Sequence, residues 1–292
     1  MFAIGLIIAT LSAASWAMGT ILFEKIGHSM SAAAITFFKS LLSLLLMALL
    51  MTLSGWVLPS GRDLLLLATS GIVGISVGDT LFFNSLQCLG ARMQVLYFIL
   101  GQVVTIVLSF LILGEVLTPV QYIGSVVILS GVMLVIAGKQ DDHPNKMRGV
   151  VEGLLAMVCY SISVIIIKQT VEHLSAVSVT FYRMLFSTFF VLAGGLLGGQ
   201  MAKWAKPLKN KKTAALFLVN VTIVTYGGFL LSVLALKYID VAIASVVATT
   251  ETVFTFVFAY LVNGERPKRR ELAGAAIAIS GMLVMILVNG EW

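Results

Sequence analysis

The chain has 292 residues, of which 59% are hydrophobic and only 11% charged, with a mean hydropathy of +1.04. That is more apolar surface than one water-soluble core can hide, so the composition describes an all-α polytopic membrane protein rather than a soluble enzyme. The net charge of +6 does not call for nucleic acid as a partner, because the cations sit in short loops beside apolar runs, where membrane placement accounts for them.

Apolar runs of about 20 residues, the length a helix needs to cross a bilayer core, follow one another along the whole chain. Spanning helices are expected near 3–23, 31–53, 64–86, 92–113, 119–138, 149–170, 175–198, 213–236, 241–262 and 270–288, giving ten transmembrane helices. The first run has no positive segment before it and is too long for a signal-peptide core, so it is read as a span. Of the nineteen Lys and Arg residues, fourteen fall in odd-numbered connections, three (Arg62, Lys168, Lys237) in even-numbered ones, and Lys39 and Arg183 inside runs. This asymmetry places both termini outside the cytoplasm. Lys203 to Lys212, with Trp204 among the lysines, reads as an interfacial segment held against anionic headgroups.

The second half of the sequence repeats the first. Ser31-Ala32 and Thr36-Phe37-Phe38-Lys39 recur as Ser175-Ala176 and Thr180-Phe181-Tyr182-Arg183, with Trp16 falling on Tyr160. Further along, Gly78, Gly114-Glu115, Gly124 and Ser130-Gly131 recur as Gly228, Gly264-Glu265, Gly274 and Ser280-Gly281. The expected organisation is a five-helix unit at 1–138, a linker at 139–148 containing Asp141, Asp142, His143, Pro144 and Asn145, and a second five-helix unit at 149–292. A unit with an odd number of spans enters the membrane in the opposite sense on repetition, which makes this an inverted repeat of the kind found in secondary transporters.

These features together resemble the EamA-type transporters of the drug/metabolite transporter superfamily. The resemblance rests on the ten-span duplication, on Lys39 and Arg183 in the second helix of each unit, and on the Gly114-Glu115 and Gly264-Glu265 pairs closing each fourth helix. Around Glu251 the order Glu251-Thr252-Val253-Phe254 is similar to a Glu-Pro-Val-Phe stretch common in that family. Thr252 replaces the proline and Gln102 stands at the matching place in the first half, so a proline-made helix break is not expected at either site.

Lys39, Asp79, Arg183 and Glu251 are ionisable residues well inside apolar runs, where each costs roughly 2.5–3.5 kcal/mol on insertion scales and marks a polar path by default. Lys39 and Arg183 occupy matching positions, which favours a shared scaffold role; counter-charges for an anionic solute, or partners for Asp79 and Glu251, are the alternatives. Asp79 and Glu251 face Phe229 and Gly101 in the repeat, so they break its symmetry and are assigned to the substrate pathway, where a carboxylate could also exchange a proton for substrate. On this basis Asp79→Asn is expected to leave stability unchanged. The stripe Gln94, Tyr97, Gly101, Thr105 of the fourth helix is expected to face Ala244, Val247, Glu251, Thr255 of the ninth. Trp16 and Tyr160 are even choices between pathway wall and packing. Gly124, Ser130, Gly131, Gly274, Ala278 and Gly281 suit close helix packing.

No metal site or cofactor is expected. Cys88 and Cys159 lack C-x-x-C spacing, and His28, His143 and His173 fall in loops or at helix ends. An intramembrane enzyme is a remote alternative: Ser76-Val77-Gly78-Asp79 lacks the first glycine of a Gly-x-Gly-Asp protease motif, and neither H-E-x-x-H nor G-x-S-x-G occurs. The leading expectation is an exporter of amino acids or related zwitterions in a bacterial inner membrane, with proton coupling an open option. An exporter of cationic drugs or quaternary amines is the runner-up. The partners implied are a small-molecule substrate, the lipid bilayer and protons, in a monomer or a homodimer.

The charge asymmetry makes a direct prediction. A fluorescent reporter that matures only in the cytoplasm, fused after Trp292, should stay dark, and a cysteine placed at Ser60 should be labelled by impermeant reagents from the outer side.

Overall fold

The computed structural model describes residues 1–136, 146–264 and 269–288, and all regular structure among them is helical. We label the main segments α1 (Phe2–Gly27), α2 (Ala32–Ser54), α3 (61–89), α4 (91–113), α5 (Pro119–Ile136), α6 (Lys146–Val171), α7 (Ala176–Leu197), α8 (Lys211–Ala235), α9 (241–263) and α10 (Arg269–Val288). Among the described residues seven helices are long and apolar enough to cross a membrane; Tyr97–Leu113, Pro119–Leu134 and Leu272–Val284 are shorter apolar helices. Residues 139–145 of the expected linker, with His143, and Glu265 to Lys268 lie outside the described residues.

Local chemistry explains the repeated motifs. Ser31 and Ser175 are the N-caps of α2 and α7, accepting hydrogen bonds from Ala34 N at 3.4 Å and Ser178 N at 3.0 Å. One turn on, the Thr36 and Thr180 hydroxyls donate to the carbonyls of Ala32 and Ala176. Gly114 and Gly264 end their helices with φ of 69° and 74°, the left-handed conformation that glycine adopts without strain. Glu115 does not cap the helix that follows it. Its carboxylate accepts from Val241 N and Ala242 N, both at 2.9 Å, at the start of α9 in the other half, satisfying two of that helix's free donors. At the matching start of α4, Ala91 N donates to Glu24 Oε1 at 3.0 Å.

The two halves are interlocked rather than side by side. α1 packs on α8 and α9 of the second half, while α6 packs on α3 and α4 of the first. α2 lies along α7, and α5 along α10. Hydroxyls join these seams, with Ser40 3.2 Å from Ser187 and Thr105 2.8 Å from Ser161. Such bonds hold helices together where lipid removes the hydrophobic drive for helix association. Large apolar side chains point outward, among them Leu197 at 90% and Leu58 at 82% exposure.

α3 and α8 share one irregularity. Each changes to π-helical geometry midway, at Gly71–Asp79 and at Val224–Leu230, which are matching places in the repeat. A π stretch carries an extra residue per turn and re-aims the side chains beyond it, a device found mostly at functional sites.

The small residues of α5 and α10 form a close crossing. A Cβ at Gly131 would stand 2.5 Å from both Gly274 O and Ala278 N, and one at Gly281 would stand 2.9 Å from Gly124 O. Backbone cannot yield as a flexible side chain does, so Gly131→Val should destabilise the protein by about 1–3 kcal/mol. A thermal melt in detergent checks this, with Ser130→Val, on the exposed side of α5, as the control expected to melt like the parent.

Candidate functional site

At the centre of the bundle lies a cavity of about 180 Å³, walled by Trp16, Phe82, Gln102, Tyr160, Arg183, Phe229 and Glu251 together with small residues of α1, α6 and α9. A larger space of about 660 Å³ opens at one end of the bundle among Arg62, Asp63, Lys168 and His173. That space is a cleft between helix ends, whereas the smaller one is walled by both halves and is lined by two of the intramembrane charges, Arg183 and Glu251.

Repeat symmetry builds the cavity, and its breakage makes the chemistry. Trp16 of α1 lies on Gly228 of α8, where a Cβ would stand 3.0 Å from its ring; Tyr160 of α6 lies on Gly78 of α3, where a Cβ would stand 3.2 Å from its ring. Each half thus seats the aromatic of its first helix on the π-helical glycine of the other. One residue later the halves diverge. Trp16 meets the ring of Phe229 edge-on at 4.7 Å, whereas the Tyr160 hydroxyl donates to Asp79 Oδ1 at 2.6 Å.

Asp79 stands behind the cavity wall and forms an ion pair with Lys39. Lys39 has no exposure, and the pair's side chains are 0% and 2% exposed. The ammonium also lies 4.5 Å from the centre of the Phe229 ring and 5.6 Å from that of Phe83, within range of favourable cation–π contact. Lys39 and Arg183, equivalent in sequence, therefore do different things. Arg183 reaches the cavity and is held by hydroxyls, from Nε to Ser70 Oγ at 2.9 Å and from Nη2 to Ser163 Oγ at 3.1 Å.

Glu251 also lines the cavity, accepting from the Thr20 hydroxyl at 3.3 Å. It begins a new helical segment, because α9 is interrupted at Thr249 and Thr250. Both threonine hydroxyls donate to carbonyls three residues back, at 2.6 Å, and backbone bonds over the same span tighten the turn. Side-chain to backbone bonding of this kind competes with the helical ladder. α9 is thus interrupted just before Glu251 although no proline stands there. α4 stays helical through Gln102; the non-helical residue Gly90, where φ is 76°, stands between α3 and α4.

Two further expectations are corrected. The stripe Gln94, Tyr97, Gly101, Thr105 does not face α9. Gln94 accepts from Ser85 at 2.6 Å, Tyr97 lies by Gly153, Gly101 by Met157, and Thr105 bonds Ser161, so the stripe lies mainly against α6. α4 supplies the cavity with Phe98 and Gln102 instead, one helical step round. Thr255 donates to the Glu251 carbonyl at 2.8 Å, and Glu251 itself meets Thr20 of α1. The second correction concerns Asp79: pairing with a fully buried Lys39, which the sequence left as one alternative, gives it a structural load. Thr20 and Ser70 were missed, because isolated hydroxyl residues in apolar runs carry no signal until their partners are known. Among the described residues no three His, Cys, Asp or Glu side chains gather to hold a metal ion.

Comparison with known proteins decides the family. A model of the EamA-like transporter family matches residues 3–137 and again 147–287. The chain belongs to the EamA-like transporter family. The two matches are the two copies seen as a repeat, and this membership makes the chain an integral membrane protein of a transporter family. A solved structure titled "Crystal structure of protein" shares 15% identity over 99% of this chain and 100% of its own, with a TM-score of 0.68, a likeness of fold alone. A comparison with curated proteins found no match.

The buried pair generates a stability prediction. Lys39→Met and Asp79→Asn should each destabilise this EamA-like protein by about 3–5 kcal/mol, since either leaves an unpaired buried group. The double variant should recover much of the loss. Melting temperatures of the three variants check it, and purely additive losses would show that the two side chains do not form a unit.

Proposed function

We propose that the protein exports small zwitterionic metabolites, amino acids foremost, by alternating access between two inverted five-helix halves that together cross a bacterial inner membrane ten times. The observation that carries this reading is that Arg183 and Glu251 both line one cavity walled by aromatic side chains. Arg183 suits the substrate carboxylate, which a planar guanidinium can hold at two points. Glu251 suits the substrate amine, and Trp16, Tyr160, Phe82 and Phe229 suit its apolar remainder. At about 180 Å³ the cavity is below the about 300–1,000 Å³ typical of sites for drug-sized ligands.

The break at Thr249-Thr250 supports the same reading. Interrupted helices at the repeat interface are where secondary transporters place substrate and coupling groups. A proton taken up by Glu251 would cancel the charge that holds the substrate amine and release it, which couples export to proton entry. In this reading both termini lie outside the cytoplasm, which the cation-rich connections support.

A second reading, export of quaternary amines, draws on the same aromatic walls, which attract cations, and on Glu251. Arg183 on the wall opposes it by repulsion. Proteoliposome uptake assays with labelled amino acids and with a quaternary amine separate the two. Amino acids should be transported in preference, Glu251→Gln should lower the rate by at least about tenfold while the protein folds normally, and Arg183→Gln should raise KM. Transport of the quaternary amine alone would select the second reading, and wild-type rates for Glu251→Gln across a pH series would remove Glu251 from coupling.

A further inference from the structure

Between α7 and α8 the chain runs through a short helix, Met201–Ala205, and a tight turn of helix, Lys206–Lys209. Met201, Trp204 and Leu208, at helical spacing, pack inward on the core, while Lys203, Lys206, Lys209, Lys211 and Lys212 are all exposed. No acidic residue occurs in sequence between Glu172 and Asp240. Among the described residues none of the five lysines makes an ion pair. The segment is therefore a concentrated, uncompensated positive face with an apolar underside.

The underside reaches deep. Trp204 is only 8% exposed. Its ring fills the space beside Gly195 of α7 that a Cβ would need, and lies 5.9 Å from the ring of Phe37 on α2. The opposite end of the bundle repeats this contact. In the connection after α2, Trp56 stacks edge-on against Phe181 of α7 at 5.3 Å, and Phe181 is the repeat counterpart of Phe37. Trp56 is 58% exposed, and the connection from Gly55 to Ser60 carries no lysine. One tryptophan contact has thus been kept at both ends, and only one end has acquired cations and buried its ring.

We infer that Lys203 to Lys212 is a binding site for anionic phospholipid headgroups, and that occupancy there seats Trp204 as a wedge that tightens α2 against α7. The occupant is a lipid rather than a free anion on three grounds. The lysines spread over ten residues that run through a short helix, a tight turn and the start of α8, which suits several headgroups instead of one ion. The face is open, with no enclosing polar pocket. It also follows Leu196 and Leu197, which are 62% and 90% exposed, so it lies where a lipid-facing helix surface ends and headgroups begin. The consequence for function is that the lipid clamp acts on α2, which carries the buried Lys39 behind the cavity wall, and on α7, which brings Arg183 to the cavity.

The test needs no transport substrate, so its outcome is independent of the proposed function. Purified protein in neutral detergent is melted with added phosphatidylglycerol, phosphatidylcholine or inorganic phosphate, and binding is followed with fluorescently labelled phosphatidylglycerol. Phosphatidylglycerol alone should raise the melting temperature by several degrees. Replacing all five lysines by Gln should abolish both binding and the rise, and replacing them by Arg should preserve both. Trp204→Ala should keep binding and lose the rise; Trp204→Phe, a milder change that serves where the alanine variant does not fold, should reduce it. An undiminished rise in the five-Gln variant, or an equal rise with phosphatidylcholine or phosphate, overturns the lipid site. An undiminished rise in both Trp204 variants overturns the wedge.

Discussion

An ammonium group with no access to solvent must be paired inside the protein, and the bundle is arranged so that Lys39 is. Its partner Asp79 stands on α3, at the end of the π-helical stretch Gly71–Asp79. The stretch is rich in glycine, and Gly71 and Gly74 let α3 approach α7 and α6 so closely that a Cβ at either would collide with Arg183 or Ser163. The Tyr160 hydroxyl completes the carboxylate's hydrogen bonding from α6. One buried charge therefore ties together α2, α3 and α6, and it does so across the boundary between the two halves.

That boundary is unusual in being exchanged. Each half gives its first helix to the other, so the cavity is not a seam between two finished domains but a space that neither half could form alone. The symmetric contacts, an aromatic ring on a π-helical glycine, occur twice with the same geometry. The asymmetric ones differ by single residues: Asp79 against Phe229, Lys39 against Arg183, Ser163 against Gly19. Duplication supplied a scaffold that folds, and substitution within it freed one cation for the cavity while locking the other away. An ion pair on one side is balanced on the other by an edge-on aromatic contact, which needs no charge at all.

The broken helix α9 shows the same economy. Proline breaks a helix by removing a donor; Thr249 and Thr250 achieve the result by supplying hydroxyls that take carbonyls from the ladder. The break in either case puts Glu251 at a helix start beside the cavity. Because the matching position in α4 remains helical, any bending that opens and closes the cavity has a natural place in the second half that the first lacks.

The sequence by itself determined the membrane class, the duplication, the helical runs and the EamA-like kinship, because hydropathy and repeat spacing are local properties written along the chain. It also singled out Glu251, Arg183, Trp16 and Tyr160, though it favoured a scaffold role for Arg183 and left the two aromatics open, since a charge inside an apolar run or an aromatic at a matching repeat position stands out without coordinates. Only the tertiary structure decided that Lys39 pairs with Asp79, that the Gln94 stripe lies mainly against α6 while Phe98 and Gln102 line the cavity, and that Glu115 caps α9. Those facts turn on helix rotation, on a π stretch that re-aims one face by part of a turn, and on the exchange of first helices. Each depends on which surfaces meet, and periodicity within one helix gives a direction but not the neighbour found there.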